Sequence, residues 1–462
     1  MNFKALCILL FFITPALSIF NSNATIFLII LVLILSLKDD IFLCCTTIAI
    51  TSYYGLMQLN GLPFSRFLIE PIIYIFMLLR LFLCIPHLRI KITTLTNSVL
   101  LFIFIATLSL ILNGFYYNWT FIALSIKDFI LPLLTFIYFI IIFSIRKKHN
   151  LDDIKKILQV MFLSISTVAV ISIINYIIPI SSNYNRFVIP DGLNNESLAA
   201  ARSIGPIKII RMQSLFGLST QGAASCLYAI SLMTIVIGRK FLGFNKFINF
   251  YIIISCLVAG LLSGAFTFYF TILIYIMLYS YSFIKRVKKL KYIVPILYFL
   301  IIISITPLLF IEVRINNNTE SINLLYYSYE GFISPAIEKF GDINILQLFI
   351  GIAPYPKSYW LNITDPIIQK ETFRYIFDNW ILGVFFQVGL IGGILFLYIL
   401  TKIIFICTKS KGICFILCSC LISMLGFAHG TFIIDKLFII KAMCLISLII
   451  VNENFNHNNM QK

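Results

Sequence analysis

The chain has 462 residues, of which 60% are hydrophobic and only 11% are charged. A soluble fold carries roughly 25% charged residues, so this composition excludes an ordinary soluble protein. The formal net charge of +17 does not indicate a nucleic-acid partner, because the lysines and arginines lie in short clusters between apolar runs. That distribution is typical of a polytopic membrane protein.

About fourteen apolar runs, many near the length that crosses roughly 30 Å of hydrocarbon, follow one another along the chain. We predict membrane helices at 5–20, 24–37, 41–59, 67–86, 97–113, 122–144, 157–178, 219–238, 247–262, 264–283, 292–311, 379–401, 413–428 and 431–451. The first run also has features of a signal peptide, but the parity of the later crossings favours a membrane helix. The sequence predicts an all-α integral membrane protein with one polytopic domain over 1–462 and about 12–14 transmembrane helices.

The lysines and arginines decide the predicted orientation. Almost every short loop on one side is basic, for example Arg146-Lys147-Lys148 and Lys285-Arg286. The positive-inside rule makes that side cytoplasmic. Two long polar loops, 179–218 and 312–377, are then expected on the opposite, periplasmic face.

The first long loop is basic and carries Arg186, Arg202, Lys208 and Arg211. Guanidinium groups bind phosphate oxygens in a bidentate fork, and the glycines just downstream of two of these arginines let the backbone approach closely. A diphosphate at the membrane surface is therefore an expected ligand. A solvated loop whose arginines meet lipid headgroups is the alternative. Arg211 is the favoured diphosphate ligand of this loop because it begins the stretch that leads into the next span.

The second long loop carries Arg314, Lys370 and Arg374. Its stretch 322–340 mixes apolar and acidic residues and is predicted to form an amphipathic helix on the bilayer surface. The loop ends with Asp378, four residues after Arg374, just before a glycine-rich span. Residues four apart share one helical face, where this pair can act as a base and a phosphate clamp. Capping of the next helix is the alternative role of Asp378.

Charged residues inside apolar spans are costly, so each is a candidate functional residue. Lys127 and Asp128 are predicted about a turn and a half below the outer face, where they pair or point into a cavity. Lys441 lies in the last span, and Glu70 is expected to reach water by snorkelling. The outer segments contain no adjacent acidic pair and no zinc or P-loop motif, so neither a metal nor a cofactor is predicted.

From about Lys127 to Gly393 the layout resembles the bacterial O-antigen polymerase (Wzy-type) and O-antigen ligase (WaaL-type) membrane proteins. The matching pieces are Lys127-Asp128-Phe-Ile-Leu-Pro132, Arg211-Met-Gln-Ser-Leu215 with Gly217, a tight break at Leu262-Ser263-Gly264, and Asp378-Asn379 before Gly389-Leu-Ile-Gly392. The resemblance implies a GT-C-like architecture. It also implies the joining of undecaprenyl-diphosphate-linked glycans at the periplasmic face of the inner membrane, without a nucleotide or a metal.

Two departures from the family pattern are informative. Ligases carry a histidine where Asp378 stands, which favours a polymerase. Many relatives have an arginine after the serine of the tight break, but Gly264 stands there, so that phosphate contact has no arginine in this chain.

We therefore predict an O-antigen polymerase that transfers a growing glycan from undecaprenyl diphosphate to a new lipid-linked repeat unit. Arg211, Arg374 and Asp378 are the predicted catalytic residues, with the arginines balancing diphosphate charge and Asp378 activating the acceptor hydroxyl. The predicted substrate-binding residues are Arg186, Arg202, Lys208, Arg314, Lys370 and Lys127.

The expected partners are an undecaprenyl-diphosphate-linked oligosaccharide, membrane lipid and a chain-length regulator protein, with no nucleic acid. Three alternatives stay open at this point. One is an O-antigen ligase, another is a lipid-linked oligosaccharide flippase or other transporter, and the third is an acyltransferase built on His429.

Overall fold

The computed structural model of the chain describes residues 3–20, 22–37, 39–53, 56, 63–84, 93–114, 119–145, 151–178, 202–204, 207–209, 212, 221–284, 345–352, 380–427 and 436–460. This part of the chain is almost entirely helical, as the apolar runs predict. The non-helical parts are a ribbon of two three-residue strands in the first long loop and a few short connections.

The first half of the described chain is a series of helices joined by short connections. Helix α1 runs through Phe3–Ile8, a π-helical turn Leu9–Ile13 and Thr14–Phe20. It is followed by α2 (Ser22–Ser36), α3 (Asp40–Ser52), α4 (Pro63–Cys84) and α5 (Thr94–Gly114). Helix α6 runs through Trp119–Ser125, a second π-helical turn Ile126–Ile130 and Leu131–Ile145, and α7 is Leu151–Ile177.

The second half contains the ribbon and the remaining described helices. Strands β1 (Arg202–Ile204) and β2 (Ile207–Ile209) pair antiparallel. They are followed by α8 (Gln221–Leu242), α9 (Lys246–Ser263), α10 (Phe266–Ile284), α11 (Ile345–Ile350), α12 (Trp380–Lys409), α13 (Ile413–Phe427) and α14 (Lys436–Met460).

Six helices among the described residues are long and apolar enough to cross a membrane, judged by length and composition: Thr94–Asn113, Ile126–Phe143, Asp152–Ile177, Ala224–Leu242, Lys246–Ser263 and Gln387–Lys409. Shorter apolar helices accompany them. This helix content is that of a polytopic membrane protein. Each predicted span overlaps a described helix except 292–311, which lies outside the described residues.

Local sequence explains several helix ends. Asp39 caps α3 by accepting a hydrogen bond from the Ile41 N–H (2.9 Å), and Asn245 caps α9 by accepting one from the Ile248 N–H (2.7 Å). Gly264 ends α9 with a φ of +57°, the left-handed conformation that favours glycine. The tight break predicted at Ser263-Gly264 is therefore present between α9 and α10.

The chain divides into two compact units. Unit 1 comprises Met1–Lys91, Thr135–Ile272 and Met443–Lys462, and unit 2 comprises Ile92–Leu134 and Leu273–Ala442. The single membrane domain over 1–462 stays a prediction.

In unit 1, α7 packs against α3, α8 and α9. At one end of the unit, the Lys156 ammonium lies 5.9 Å from the centre of the Phe3 ring, and Arg80 forms an ion pair with Asp40. The Gln159 side chain donates a hydrogen bond to the Leu242 carbonyl (2.6 Å). This is the arrangement expected if these helix ends share one membrane face, as the positive-inside rule predicts.

In unit 2, α12 packs against α5 and α13, and the six-residue helix α11 packs against α12. The Phe102 and Phe396 rings, 5.7 Å apart, join α5 to α12. Helix α12 is interrupted at Gly389, whose backbone is not helical. The candidate site lies at this interruption.

Candidate functional site

Two glycines of unit 2 bring separate backbone segments into direct contact. Gly389 in α12 has a φ of +70°, and Gly351, just after α11, has a φ of +90°. A Cβ atom at Gly389 would collide with the Phe349 carbonyl, and one at Gly351 would collide with the Gln387 carbonyl. Only glycine combines this conformation with this approach. The end of α11 therefore meets α12 at the point where α12 is interrupted.

Side chains of α5 pair with backbone groups at this break. An interrupted helix leaves carbonyls without their usual donors, and inside a membrane such groups need other partners. The Ser109 hydroxyl donates a hydrogen bond to the Gln387 carbonyl (3.0 Å). The Asn113 amide nitrogen donates to the Gly351 carbonyl (2.9 Å) and to the Ser109 carbonyl (2.8 Å). The Asn113 amide oxygen accepts from the Gln347 amide nitrogen (3.3 Å). Asn113 thus uses its nitrogen and its oxygen to hold α11 against α5.

Unlike the Asn113 side chain, the Gln387 side chain is not hydrogen-bonded within the described part of the chain. It is fully buried, yet neither its amide nitrogen nor its amide oxygen has a hydrogen-bond partner in the described part of the chain. Burying a polar group without a partner costs about 1–3 kcal/mol. An unsatisfied amide at a helix break is therefore a candidate ligand-binding group.

The Lys127–Asp128 pair occupies the π-helical turn of α6, which packs against α5 in unit 2. The Lys127 Nζ lies 3.6 Å from the Asp128 carboxylate, and both side chains are half-buried. The structure therefore shows pairing, one of the two roles that the sequence leaves open. Turns of this kind occur frequently at functional sites.

In unit 1, the first long loop is attached to the membrane helices at Met212. The Met212 N–H donates a hydrogen bond to the Leu262 carbonyl at the end of α9 (2.9 Å), and the Met212 side chain is fully buried. Beside this contact, the Ser225 hydroxyl donates to the Ser263 hydroxyl (2.8 Å). The hydrogen bond from Met212 to Leu262 therefore joins two motifs that are far apart in the sequence. One is the motif that begins at Arg211, which is bound through its second residue, and the other is the tight break.

The β-ribbon contains two of the predicted substrate-binding residues. Arg202 in β1 pairs with Ile209, and Lys208 in β2 pairs with Ser203. The ribbon thus brings the backbones of Arg202 and Lys208 onto adjacent strands. The other predicted residues of the two long loops lie outside the described residues, as does the predicted amphipathic stretch 322–340: Arg186, Arg211, Arg314, Lys370, Arg374 and Asp378.

Two further charged residues lie inside apolar helices. Glu70 in α4 is only 1% exposed, so the expectation that it reaches water by snorkelling is wrong. Lys441 in α14 is fully buried. Each of the two interacts with other groups of the chain. Within the described residues, no group of three or more His, Cys, Asp and Glu side chains is placed to hold a metal ion.

The polar cluster at the Gly389 break was not predicted. The positive φ of Gly389 and its close contact with Gly351 hold α11 against α12 at this point. Gln387 is the single polar residue in the apolar run 381–397, and this could have identified it. The desolvation argument that selects in-membrane charges applies, with a smaller cost, to neutral amides.

Comparison of the chain with protein-family models, with curated proteins and with solved structures found no match.

Proposed function

We propose that the protein is an O-antigen polymerase, a glycosyltransferase of the periplasmic face of the bacterial inner membrane. It transfers a growing glycan from undecaprenyl diphosphate to a new undecaprenyl-diphosphate-linked repeat unit. The hydrogen bond from Met212 to Leu262 is the observation that carries the proposal, because it fixes the backbone next to Arg211. Catalysis by charge stabilisation requires cationic groups held in place before the substrate arrives.

The attachment of the second long loop supports the same proposal. Asn113 holds Gly351 (2.9 Å), and α12 begins at Trp380. The intervening chain carries Arg374 and Asp378 between these two points of unit 2. A segment held at Gly351 and at the start of α12, with an arginine and a carboxylate near its end, suits a reaction surface better than a simple connection.

In the proposed reaction, Arg211 and Arg374 bind diphosphate oxygens of the lipid carriers, and Lys127 adds positive charge near the outer surface. The Asp378 carboxylate accepts the proton of an acceptor hydroxyl, whose oxygen forms a bond to the anomeric carbon of the donor glycan. The bond from that carbon to the diphosphate breaks, and undecaprenyl diphosphate leaves with its charge balanced by the arginines. The balancing charge comes from the protein, so the proposed reaction is metal-independent.

The proposal includes a GT-C-like architecture of about 12–14 transmembrane helices with both long loops periplasmic. It also includes a chain-length regulator as a protein partner.

The ligase differs in its acceptor, which is lipid A-core instead of a second lipid-linked unit. The transporter alternative is favoured by one observation, the burial of Glu70 and Lys441 inside apolar helices.

The polysaccharide made by a deletion strain tests the proposal. The strain is complemented with the wild type, Arg211→Ala, Arg374→Ala or Lys357→Ala, and its lipopolysaccharide is separated on a gel. We expect the two arginine variants to leave single repeats on the core. Lys357→Ala, which removes a charge of the second loop that is not assigned to the site, keeps the full ladder.

The same gel separates a polymerase from the alternatives, because bare core in the arginine variants would indicate a ligase or a transporter. The lipid-linked repeats at the periplasmic face then separate these two. Their presence beside bare core would indicate a ligase, and their loss would indicate a transporter. Full ladders in both arginine variants would refute the polymerase assignment. Purified protein in liposomes gives an independent test, because a polymerase elongates the strain's own undecaprenyl-diphosphate-linked repeat unit without any other protein.

A further inference from the structure

The amide of Gln387, which has no hydrogen-bond partner in the part of the chain that the structure describes, points to a carbohydrate-binding group within unit 2. We propose that Gln387 determines specificity for the glycan by binding a hydroxyl or acetamido group of the lipid-linked repeat unit at the Gly389 break. This inference rests on the proposed function, and it adds to the arginines a residue that recognises the sugar instead of the diphosphate.

The first step concerns the neighbours of Gln387. Asn113 already uses its amide nitrogen and oxygen on Ser109, Gly351 and Gln347, and the Ser109 hydroxyl donates to the Gln387 backbone carbonyl. Asn113 and Ser109 therefore have no donor to spare for the Gln387 amide. The cluster therefore holds the backbone of residue 387 firmly while its side chain stays unsatisfied.

The second step concerns the cost of this arrangement. A fully buried amide has two donors and an acceptor that need partners, and leaving them unpaired in an apolar span is more expensive than replacing the residue by an apolar one of similar volume. The chain nevertheless places this amide two residues before the interrupted position Gly389. A group that lowers the stability of the free protein is expected where it serves binding.

The third step selects the class of ligand. A phosphate oxygen only accepts hydrogen bonds, so it satisfies the nitrogen of the amide and leaves the oxygen unpaired. A sugar hydroxyl or an acetamido group both donates and accepts, so it satisfies both atoms. The chemistry of the amide therefore matches the glycan of a lipid-linked substrate and not its diphosphate.

The fourth step concerns access. Because the Gln387 side chain is fully enclosed, a ligand reaches it only when a neighbouring element moves. Helix α11 packs against α12 and has no buried residue, so we assign this movement to α11. Its attachment at Gly351 depends on the Asn113 hydrogen bonds.

Two substitutions by methionine test the proposal. Gln387→Met keeps the approximate volume and removes the amide. The matched control is Gln159→Met, because the Gln159 amide has a partner, the Leu242 carbonyl (2.6 Å). Purified variants are compared in thermal midpoint without ligand, and in affinity for two probes: the strain's undecaprenyl-diphosphate-linked repeat unit and undecaprenyl diphosphate without sugar.

We expect Gln387→Met to weaken binding of the glycan-bearing lipid about tenfold, the loss of one good hydrogen-bonding group, and to leave the binding of undecaprenyl diphosphate unchanged. Its thermal midpoint should rise by roughly 2–4 °C because an unsatisfied amide is gone. Gln159→Met should lower the midpoint and leave the affinity ratio of the two probes unchanged.

Other outcomes overturn the inference. Unchanged affinities in Gln387→Met would show that the amide binds only water or nothing. An equal loss for both probes with a lower midpoint would show a structural role. If Gln387→Met does not accumulate, Gln387→Leu also removes the amide without adding a charge, and the same selective loss is expected.

The result for the wild type separates this inference from the proposed function. If wild-type protein in liposomes elongates the repeat unit while Gln387→Met keeps its glycan selectivity, only the inference about Gln387 fails. If the wild type does not elongate the repeat unit, the proposed function and this inference both fail.

Discussion

The side-chain amide of Asn113 donates a 2.9 Å hydrogen bond to the backbone carbonyl of Gly351. This bond joins residues 238 positions apart in the sequence and ties the second long loop to a membrane helix of unit 2. Since an apolar surrounding offers no water to replace it, the bond is a more sensitive point of the fold than one on a wet surface.

Asn113→Ala should therefore destabilise the protein. The substitution removes the side-chain donor of the Gly351 carbonyl and the acceptor of the Gln347 hydrogen bond, at a cost of about 1–3 kcal/mol. We expect a lower thermal midpoint in detergent and, because the second loop loses its attachment, shorter polysaccharide chains. Asn97→Ala is the control, because Asn97 is an exposed residue of the same helix. An equal midpoint in the two variants would contradict the assigned role of Asn113.

Gly389→Ala should prevent the contact between α11 and α12. An alanine at the Gly389 backbone (φ +70°, ψ −174°), a region taken almost only by glycine, is strained by roughly 1–3 kcal/mol, and its Cβ also collides with the Phe349 carbonyl. Gly243→Ala is the control for a positive φ without a collision, because Gly243 has a φ of +69° and no atom within 4 Å of the added Cβ. We expect Gly243→Ala to fold with a small loss of stability and Gly389→Ala to accumulate poorly in the membrane. Comparable amounts of both proteins would show that the contact is not needed.

Met212→Pro should abolish long polysaccharide. Proline has no N–H and cannot donate to the Leu262 carbonyl, and it restricts the conformation of Arg211 before it. Met212→Leu keeps the N–H and an apolar side chain of similar volume, so this variant should make a normal ladder. The measurement is the lipopolysaccharide gel, together with the amount of protein in the membrane. A full ladder from Met212→Pro would show that the hydrogen bond from Met212 to Leu262 is not needed for polymer formation. The proposed function would then lose its main support.

Lys127→Met should reduce polymer formation by about tenfold or more if Lys127 binds the diphosphate, because a hydrogen bond to a charged group contributes roughly 1.5–3 kcal/mol. The side chain is half-buried, 3.6 Å from Asp128, so the loss should not be masked by water. Lys155→Met is the control, since Lys155 forms an ion pair with Asp152 at the other predicted face (3.1 Å). The rate of chain elongation in liposomes is measured for both variants. Equal rates would show that Lys127 does not belong to the site.

The sidedness of the two long loops is directly testable by cysteine labelling. Ser182→Cys and Thr319→Cys should react with a membrane-impermeant maleimide in spheroplasts, and Lys148→Cys only after the membrane is permeabilised. The positive-inside rule is the reason for this expectation. Nine of the ten free cysteines in the described part of the chain are buried, so background labelling from these nine should be low. Labelling of Lys148→Cys in intact spheroplasts would reverse the proposed orientation.

Much of the fold follows from the sequence because the relevant signals are local. Apolar runs require backbone hydrogen bonds to be made within the segment, so they predict helices. Gly264 similarly predicts the break after α9, because a glycine readily takes the conformation that ends a helix. The ends of the helices are less well predicted: α3 stops at Ser52, although its apolar run continues to residue 59.

The candidate site could be predicted only in part. Lys127 and the Arg211 motif stand out by charge, and their sequence positions suffice to nominate them. The partners of Met212 and Asn113 do not follow from sequence, because each bond joins segments that are distant along the chain. Arg374 and Asp378 remain predictions from the sequence.

The sequence by itself determined the helical class, the positions of most of the apolar helices and the charged residues that are candidates for the site. These features depend on composition and on neighbours in the chain. Only the tertiary structure decided that Gly389 meets Gly351, that Asn113 is fully paired and that Gln387 is not. Whether a buried amide is satisfied depends on which groups the fold brings within about 3 Å of it. That distance is set by packing between helices and not by the order of residues.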